Sequence, residues 1–296
     1  MLSGFLARLF QRSAAASRED PATLALNAEA RGDLETAVLC YEEALRQNPE
    51  SAPLQSNLGN VRKRQGRLQD AEQHYRRAVE LAPDLARAWY NLGLMLHETW
   101  RLEEAEAALW RALSLVGNDK DCDFLSALVR TQTVTLHNAG RHAKAREFLH
   151  EAPTHFPMLE AECLSMALFS LSAVPDVDAG DVLREHRAWA ERFADPLTAA
   201  APAHRIDPFP RRLRIGYVSG DFRDHTVGRF SEPILASHDR ARFEIFCYDN
   251  SPAFDQVTTR LQSLADVWRP IARLSDSDAA ALVRSDRIDI LVDLSG

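Results

Sequence analysis

A 34-residue period in the first half of the chain limits the fold more than any other feature of the sequence. Gly32 and Gly66 lie 34 residues apart, as do Pro49 and Pro83. Further sets that keep the same step are Ala37, Ala71 and Ala105; Ala44, Ala78 and Ala112; Tyr41, Tyr75 and Leu109; and the tripeptide Asn-Leu-Gly at 57–59 and 91–93. Because so many positions share one register, the first half is predicted to consist of stacked copies of one supersecondary unit.

This pattern resembles the tetratricopeptide repeat, in which each unit is a pair of antiparallel helices. The signature residues are Trp89, Leu92 and Gly93 in its first part and Ala71, Tyr75 and Pro83 in its second. We expect the small residues to let the two helices approach closely and the aromatic ring to fill the space between neighbouring pairs. The proline is expected to end the second helix, since it has no N–H to donate.

A fourth repeat fits the pattern less well, because Ala145 follows Ala105 by 40 residues rather than 34. The stretch 117–123 is polar and rich in turn-forming residues, so we expect the six extra residues there. Trp100 stands where the first two repeats carry glycine. We therefore expect the solenoid to be irregular at that point.

Asn57 and Asn91 hold the same position in successive repeats. An amide side chain donates and accepts hydrogen bonds at once, so it can hold an extended peptide backbone whatever the peptide's sequence. The alternative is that each amide only caps local backbone on a solvated face. The sequence leaves both interpretations open.

From Arg211 onward the periodicity changes. Strands are predicted at 213–218, 243–248, 267–271 and 288–294, and helices at 227–237, 256–265 and 276–285. This alternation predicts a parallel sheet with right-handed crossovers. The run 288–294 reads as a buried strand. Parallel sheets carry helices on both faces. The chain ends two residues after this strand, with no covering helix, so we expect it to be truncated.

The residues between the two halves continue a helical pattern. Leu183, His186, Trp189 and Phe193 share one stripe of a helix, and we expect that stripe to belong to the core. Residues 196–210 are rich in alanine and proline and are interpreted as a linker. The predicted organisation is an N-terminal tail at 1–20, about four repeats at 21–157, a helical linker at 158–210 and a partial Rossmann-like region at 211–296.

His225 is the residue of the second half to which we give the strongest functional interpretation. It follows the first predicted strand, and ligands of open α/β sheets bind beyond the carboxyl ends of the strands. An imidazole exchanges protons near neutral pH, and the helix N-terminus that follows favours a phosphate. The alternative is a solvated or helix-capping loop residue. The loop lacks G-x-G-x-x-G, so it carries no dinucleotide fingerprint.

Composition narrows the class of protein. The 296 residues carry a formal net charge of −8, which argues against binding nucleic acid through phosphate contacts. The four cysteines form no C-x-x-C pair, and a reducing compartment, the cytoplasm, is the expected location. No stretch reaches the roughly 18 apolar residues of a membrane-spanning helix. We expect residues 1–12 to be a frayed tail or a short amphipathic helix.

Tetratricopeptide repeats followed by the stretch 212–227 resemble the protein O-linked N-acetylglucosamine (O-GlcNAc) transferase family, particularly its bacterial and SPINDLY-like members. That stretch reads Arg-Leu-Arg-Ile-Gly-Tyr-Val-Ser-Gly-Asp-Phe-Arg-Asp-His-Thr-Val. Further stretches that carry the resemblance are 186–193, 242–248 and 286–296. The resemblance covers almost everything after residue 21.

The resemblance implies an α plus α/β fold: an α-solenoid followed by the N-terminal part of a two-lobed GT-B glycosyltransferase. The loop histidine matching His225 lies in the family's active site, and the asparagines matching Asn57 and Asn91 belong to a ladder that holds the acceptor peptide. The expected donor is UDP-GlcNAc, with the choice between N-acetylglucosamine and a deoxyhexose left open, and no metal or other cofactor is expected. The second lobe supplies most donor contacts, so residues 1–296 are expected to lack turnover alone. The alternative function is a repeat scaffold that binds proteins without catalysis.

Overall fold

The computed structural model describes residues 20–117, 119–173, 177–204, 211–251 and 253–294, the side chain of residue 172 excepted. Residues 1–19 of the predicted N-terminal tail and residues 205–210 of the predicted linker lie outside the described residues. The chain divides into two compact units, one ending at Ala200 and the other beginning at Ala201.

The first unit is built of helices. Their bounds are α1 Pro21–Ala30, α2 Leu34–Gln47, α3 Ala52–Arg64, α4 Leu68–Leu81, α5 Ala86–Glu98, α6 Leu102–Leu115, α7 Cys122–Asn138, α8 His142–His155, α9 Glu160–Ser170, α10 Ala179–Trp189 and α11 Asp195–Ala200. The helices α1 to α8 form the four predicted pairs. The second helix of three pairs ends two residues before Pro49, Pro83 or Pro157, as the missing N–H of proline predicts.

Glycine lets the two helices of a pair meet. A Cβ built on Gly59 of α3 lies 2.7 Å from the Tyr75 ring of α4, and one built on Gly93 of α5 lies 2.7 Å from Leu109 of α6. Real Cβ atoms do not approach other atoms so closely, so only glycine fits at these contacts without movement. The close approach of helices predicted at the glycine positions is confirmed, and the repeated alanines and aromatic residues are buried.

The prediction of an irregular solenoid at Trp100 is wrong. Trp100 adopts a left-handed backbone conformation with φ of 60°, close to the 72–76° of Gly32, Gly66 and Gly140 at the other three turns. The Arg101 amide donates to the Leu96 carbonyl, the bond that closes each of the other turns as well. The turn keeps its geometry although its central residue carries a Cβ.

The prediction that the six extra residues of the fourth repeat lie in the 117–123 loop holds for only some of them. Helix α7 has 17 residues where α3 and α5 have 13, which accounts for four of them. The connection before α7 spans 116–121, two residues more than the connection 82–85 before α5. About one added helical turn therefore takes up most of the insertion.

After the repeats, α9 and α10 follow, and a π-helical turn at Ala190–Ala194 joins α10 to α11. The expectation that the stripe from 183 to 193 is core is wrong. Leu183 is 50% exposed, His186 is exposed, and Trp189 and Phe193 are half-buried. Trp189 and Phe193 line a cleft of about 700 Å³, which residues of α8 and α9 also line.

The second unit contains a four-stranded parallel sheet. Its elements are β1 Leu213–Ser219, α12 Thr226–Ala236, β2 Phe243–Asp249, α13 Gln256–Leu264, β3 Val267–Pro270, α14 Asp276–Ser285 and β4 Ile290–Asp293. The strand order is β3-β2-β1-β4, with Ile215 of β1 opposite Ile245 and Ile290. The predicted strands and helices are confirmed, and their ends shift by two residues at most.

Strand β4 differs from its prediction in burial. Ile290 and Leu291 are 46% and 52% exposed, so the strand expected to be buried is a half-exposed sheet edge. Its one neighbour in the described part of the sheet is β1. A carboxylate anchors its start: Asp289 accepts two bonds from Arg211, each at 2.6 Å, and one from the Arg214 amide at 2.8 Å.

Among the described helices, none combines the length and the apolar character that a membrane-spanning segment requires.

Candidate functional site

A cleft of about 380 Å³ opens between α3, α5 and the first turn of α7. Asn57 of α3 and Asn91 of α5 both line this cleft, and both residues are half-buried. Neither amide is buried in the helix–helix core, where a ligand could not reach it. We call this cleft the repeat groove; the role of the two amides in holding a peptide stays a prediction.

Each of these amides already has one protein partner. Asn91 Nδ2 donates to Ser56 Oγ at 2.9 Å, and Asn57 hydrogen-bonds the Tyr41 hydroxyl. Because one N–H of Asn91 is held by Ser56, the orientation of its amide is set. Its Oδ1 and its second N–H have no partner among the described residues and are available to a ligand in the groove.

An aromatic and charged cluster completes the repeat groove, and the sequence analysis missed it. The Arg87 guanidinium lies 4.1 Å from the centre of the Phe124 ring and pairs with Asp121 at 2.6 Å, while Tyr90 meets Phe124 edge to face at 5.5 Å. Residues 87 and 121, like 90 and 124, stand one 34-residue step apart. A search for repeated identities overlooks them, because each step changes the residue type.

His225 lies at the carboxyl edge of the sheet, six residues after the last residue of β1. It is the N-cap of α12: its Nδ1 accepts a hydrogen bond from the Val227 amide at 3.3 Å. Its side chain is 42% exposed. The structure thus places His225 where the sequence analysis expected a ligand site. It also shows the capping contact that the alternative interpretation named.

Charged residues surround this cap in pairs. Asp221 Oδ2 lies 3.5 Å from His225 Nδ1, while Asp221 Oδ1 accepts from Arg223 at 3.0 Å. Asp224 pairs with Arg229 at 2.8 Å. These two acid–base pairs cancel in charge, and the amides at the N-terminus of α12 contribute positive potential.

Backbone packing holds the loop against the helix. A Cβ on Gly228 lies 2.2 Å from the Arg223 carbonyl oxygen, so any other residue at that position displaces the loop. Phe222 is fully buried and anchors the same loop in the core beneath the sheet edge. The Asp224 amide donates to Asp255 Oδ2 at 2.7 Å, which ties the loop to the start of α13.

Two acidic residues near this edge were not singled out from the sequence. Asp249 ends β2 and is buried, and burial raises the pKa of its carboxyl group. Asp255 caps α13, and backbone N–H groups that donate to it lower its pKa. The capping-box pattern could have identified Asp255, since Thr258 follows three residues later. The burial of Asp249 depends on tertiary packing.

Among the described residues, no group of three or more His, Cys, Asp or Glu side chains could hold a metal ion. His225 belongs to the second unit and the two asparagines to the first.

Comparison with known protein families matches both units. Residues 201–296 match the family described as Glycosyl transferase family 41, and residues 23–86 and 56–120 match the tetratricopeptide repeat. The described structure is similar to a solved mutant O-GlcNAc transferase of Thermobaculum terrenum, with a TM-score of 0.57 and 33% sequence identity. That likeness covers 93% of this chain and 45% of the solved chain.

Two plant relatives show the same likeness over shorter stretches. The probable UDP-N-acetylglucosamine–peptide N-acetylglucosaminyltransferase SPINDLY of Oryza sativa subsp. japonica is 31% identical over 44% of this chain and 14% of its own length. The corresponding Arabidopsis thaliana protein SEC is 37% identical over 36% of this chain and 11% of its own length. The chain thus spans less than half the length of each of these relatives. Residues 201–296 thus match glycosyl transferase family 41, and the chain as a whole, repeats and sheet region together, is similar to protein O-GlcNAc transferases.

Proposed function

We propose that this chain provides the acceptor-binding repeats and part of the first catalytic lobe of a protein glycosyltransferase. The whole protein transfers N-acetylglucosamine from UDP-GlcNAc to serine or threonine hydroxyls of other proteins. The observation that carries this proposal is the continuous likeness to an O-GlcNAc transferase over 93% of the chain, across both units. A repeat scaffold without catalysis accounts for residues 23–120 but not for the family 41 match at 201–296.

In this proposal the repeat groove holds the acceptor polypeptide. Two half-buried amides one repeat apart, Asn57 and Asn91, bind the backbone of an extended segment, because backbone N–H and C=O groups are present in any sequence. Ser56 orients one of these amides before the peptide arrives. Such orientation reduces the entropy lost on binding.

The sheet edge at His225 takes part in donor binding and transfer in the same proposal. Parallel strands bring their carboxyl ends together there, and the N-terminal amides of α12 favour a phosphate group. The reaction needs no metal ion in this scheme. Helix dipoles and basic side chains stabilise the diphosphate as it leaves.

The test of the function is acceptor-dependent release of UDP by the whole protein that includes residues 1–296, with a library of serine- and threonine-containing peptides. We expect UDP release together with peptides that gain one N-acetylhexosamine by mass spectrometry. Repeat-dependent binding of peptides with neither UDP release nor modified peptide supports the scaffold instead.

The test of the repeat groove is the double variant Asn57→Ala/Asn91→Ala. Two hydrogen bonds of about 1 kcal/mol each predict an acceptor KM raised roughly 10- to 30-fold with kcat little changed. The control is Asn48→Ala, an exposed asparagine of the repeats that does not line the groove. An acceptor KM that stays at the wild-type value in the double variant contradicts the peptide-binding role.

A further inference from the structure

Two histidines meet where the last repeat joins the helix that follows it. His137 lies in the last turn of α7, His142 is the first residue of α8, and their Nδ1 atoms are 2.8 Å apart. The other ring nitrogen of His137, Nε2, lies 2.8 Å from Oγ of Ser170, the last residue of α9. Ser170 is buried and both rings are half-buried. The ring of His137 therefore links the ends of three helices.

The contacts of Ser170 fix the direction of every hydrogen bond in this network. The Ser170 hydroxyl donates to the Met166 carbonyl at 2.8 Å, because a carbonyl oxygen has no proton to give. Ser170 Oγ therefore accepts from His137, whose proton is on Nε2. Nδ1 of His137 then carries a lone pair, so the proton between the two rings belongs to Nδ1 of His142. The hydrogen bonds of His142 in the described residues do not involve its Nε2.

This arrangement can take up one proton but not two. A proton added to Nε2 of His142 leaves all the hydrogen bonds in place and makes the bond to His137 charge-assisted. The second proton can go only to Nδ1 of His137, since Nε2 of that ring is already protonated. Two N–H groups would then face each other across 2.8 Å, each on a positively charged ring. The second proton therefore breaks the contact.

The charged groups of the neighbouring elements have partners of their own. His97 of α5 hydrogen-bonds Thr135 at 2.9 Å, not His137. The ion pairs around this junction are Lys63 with Glu98, Glu106 with Arg141 and with Lys144, Arg130 with Glu162, and Arg146 with Glu185. The last turn of α9 carries no charged residue. Among the described residues, burial and then the charge of His142 lower the pKa of His137 below its ordinary value of 6.5.

We propose that the two histidines form a pH-sensitive contact, which holds the end of α9 to the last repeat with no proton or one proton added and releases it when a second proton enters. A histidine that folding keeps neutral stabilises the folded state above its ordinary pKa of 6.5, and this contribution is lost as the pH falls below that value. The contact lies within the first unit, so it is tested without transferase activity.

Spectra of residues 1–296 labelled with ¹⁵N-histidine measure the network directly. At pH 8 we expect a proton on Nε2 of His137, a proton on Nδ1 of His142, and a ¹⁵N–¹⁵N coupling between the two Nδ1 atoms across their hydrogen bond. On acidification the first proton should enter Nε2 of His142 with the coupling intact. The coupling should vanish as Nδ1 of His137 is protonated.

The variants His137→Asn and His142→Asn, each lacking one ring, assign these signals among those of the ten histidines. A pair without coupling at pH 8, a His137 ring protonated on Nδ1 at that pH, or a first proton that enters His137 overturns the proposal.

The variant His142→Asn also tests the release. Its introduced Nδ2 replaces Nδ1 as a donor to His137, and the amide can rotate to accept when His137 is protonated, which an imidazolium cannot do. The wild type should therefore lose a hydrogen bond between pH 8 and about pH 5 that the variant keeps. We expect the folding equilibrium constant to fall roughly fivefold more in the wild type than in the variant. The control is His150→Asn, at an exposed position of α8, which should follow the wild type.

The measurements are urea unfolding of the helical unit and amide hydrogen exchange of residues 167–170, corrected for the intrinsic effect of pH. Exchange at the end of α9 should gain more from acidification in the wild type than in His142→Asn. An equal pH dependence of the two proteins in either measurement overturns the proposal.

Discussion

Trp100 allows the backbone strain of a repeat turn to be measured. Its φ of 60° lies in the left-handed region, which glycine occupies at the other three turns, and the residue is 71% exposed. A Cβ in that conformation costs ~1–2 kcal/mol. Replacing Trp100 with glycine removes this strain, but it also removes the packing of the buried part of the ring. A comparison of Trp100→Gly with Trp100→Ala cancels that loss, because both variants lack the ring.

The expected difference between the two variants follows from opposing backbone terms. Alanine retains the strain of about 1–2 kcal/mol. Glycine loses roughly 0.4–1 kcal/mol, because it gives the unfolded chain more conformational freedom. Trp100→Gly should therefore be more stable than Trp100→Ala by about 0.5–1 kcal/mol. The control is Ala107→Gly at an exposed position within α6 of the same repeat, where glycine should instead cost about 1 kcal/mol.

The assay is urea unfolding of residues 1–296, followed by far-ultraviolet circular dichroism of the helical unit. The quantity compared is the shift of the unfolding midpoint between variants at an unchanged slope. If Trp100→Ala is as stable as Trp100→Gly or more stable, the turn does not hold residue 100 in the left-handed conformation, and the strain argument is refuted.

Further predictions concern a packing contact and a buried ion pair. Gly93→Ala should destabilise the repeats by about 1–3 kcal/mol, because the added Cβ meets a side chain at 2.7 Å; an unchanged unfolding midpoint would show that the helix pair can separate freely. Asp289→Ala should lower the free energy of unfolding of the sheet unit by about 3 kcal/mol, measured with urea. The reason is that the Asp289 side chain is 1% exposed and accepts both Arg211 hydrogen bonds. The control is Asp276→Ala, at the exposed start of a helix. The bonds from Arg211 lower the pKa of Asp289 below its ordinary value of 3.8, so its contribution is complete above that pH and is lost on further acidification. The unfolding free energy of the wild type should then fall more steeply below about pH 4 than that of Asp289→Ala, and parallel curves would contradict this assignment.

The order of elements could be predicted from sequence because it depends on short-range patterns. The 34-residue step identified the helix pairs, and the prolines at 49 and 83 marked where second helices end. The alternation of apolar runs and helical stretches after residue 211 predicted all four strands to within two residues at each end. Side-chain periodicity and the missing proline N–H act within a few residues, so the sequence carries them directly.

Burial and hydrogen-bond partners were decided by the tertiary structure. The stripe from Leu183 to Phe193 and the apolar strand β4 have the composition of core segments, yet both are partly exposed. The sequence placed His225 at the sheet edge but could not show that its Nδ1 meets the Val227 amide. A pattern reports which face of an element is apolar, whereas burial depends on which other element packs there. In the same way, the proton position of an imidazole depends on the atoms that surround it in space.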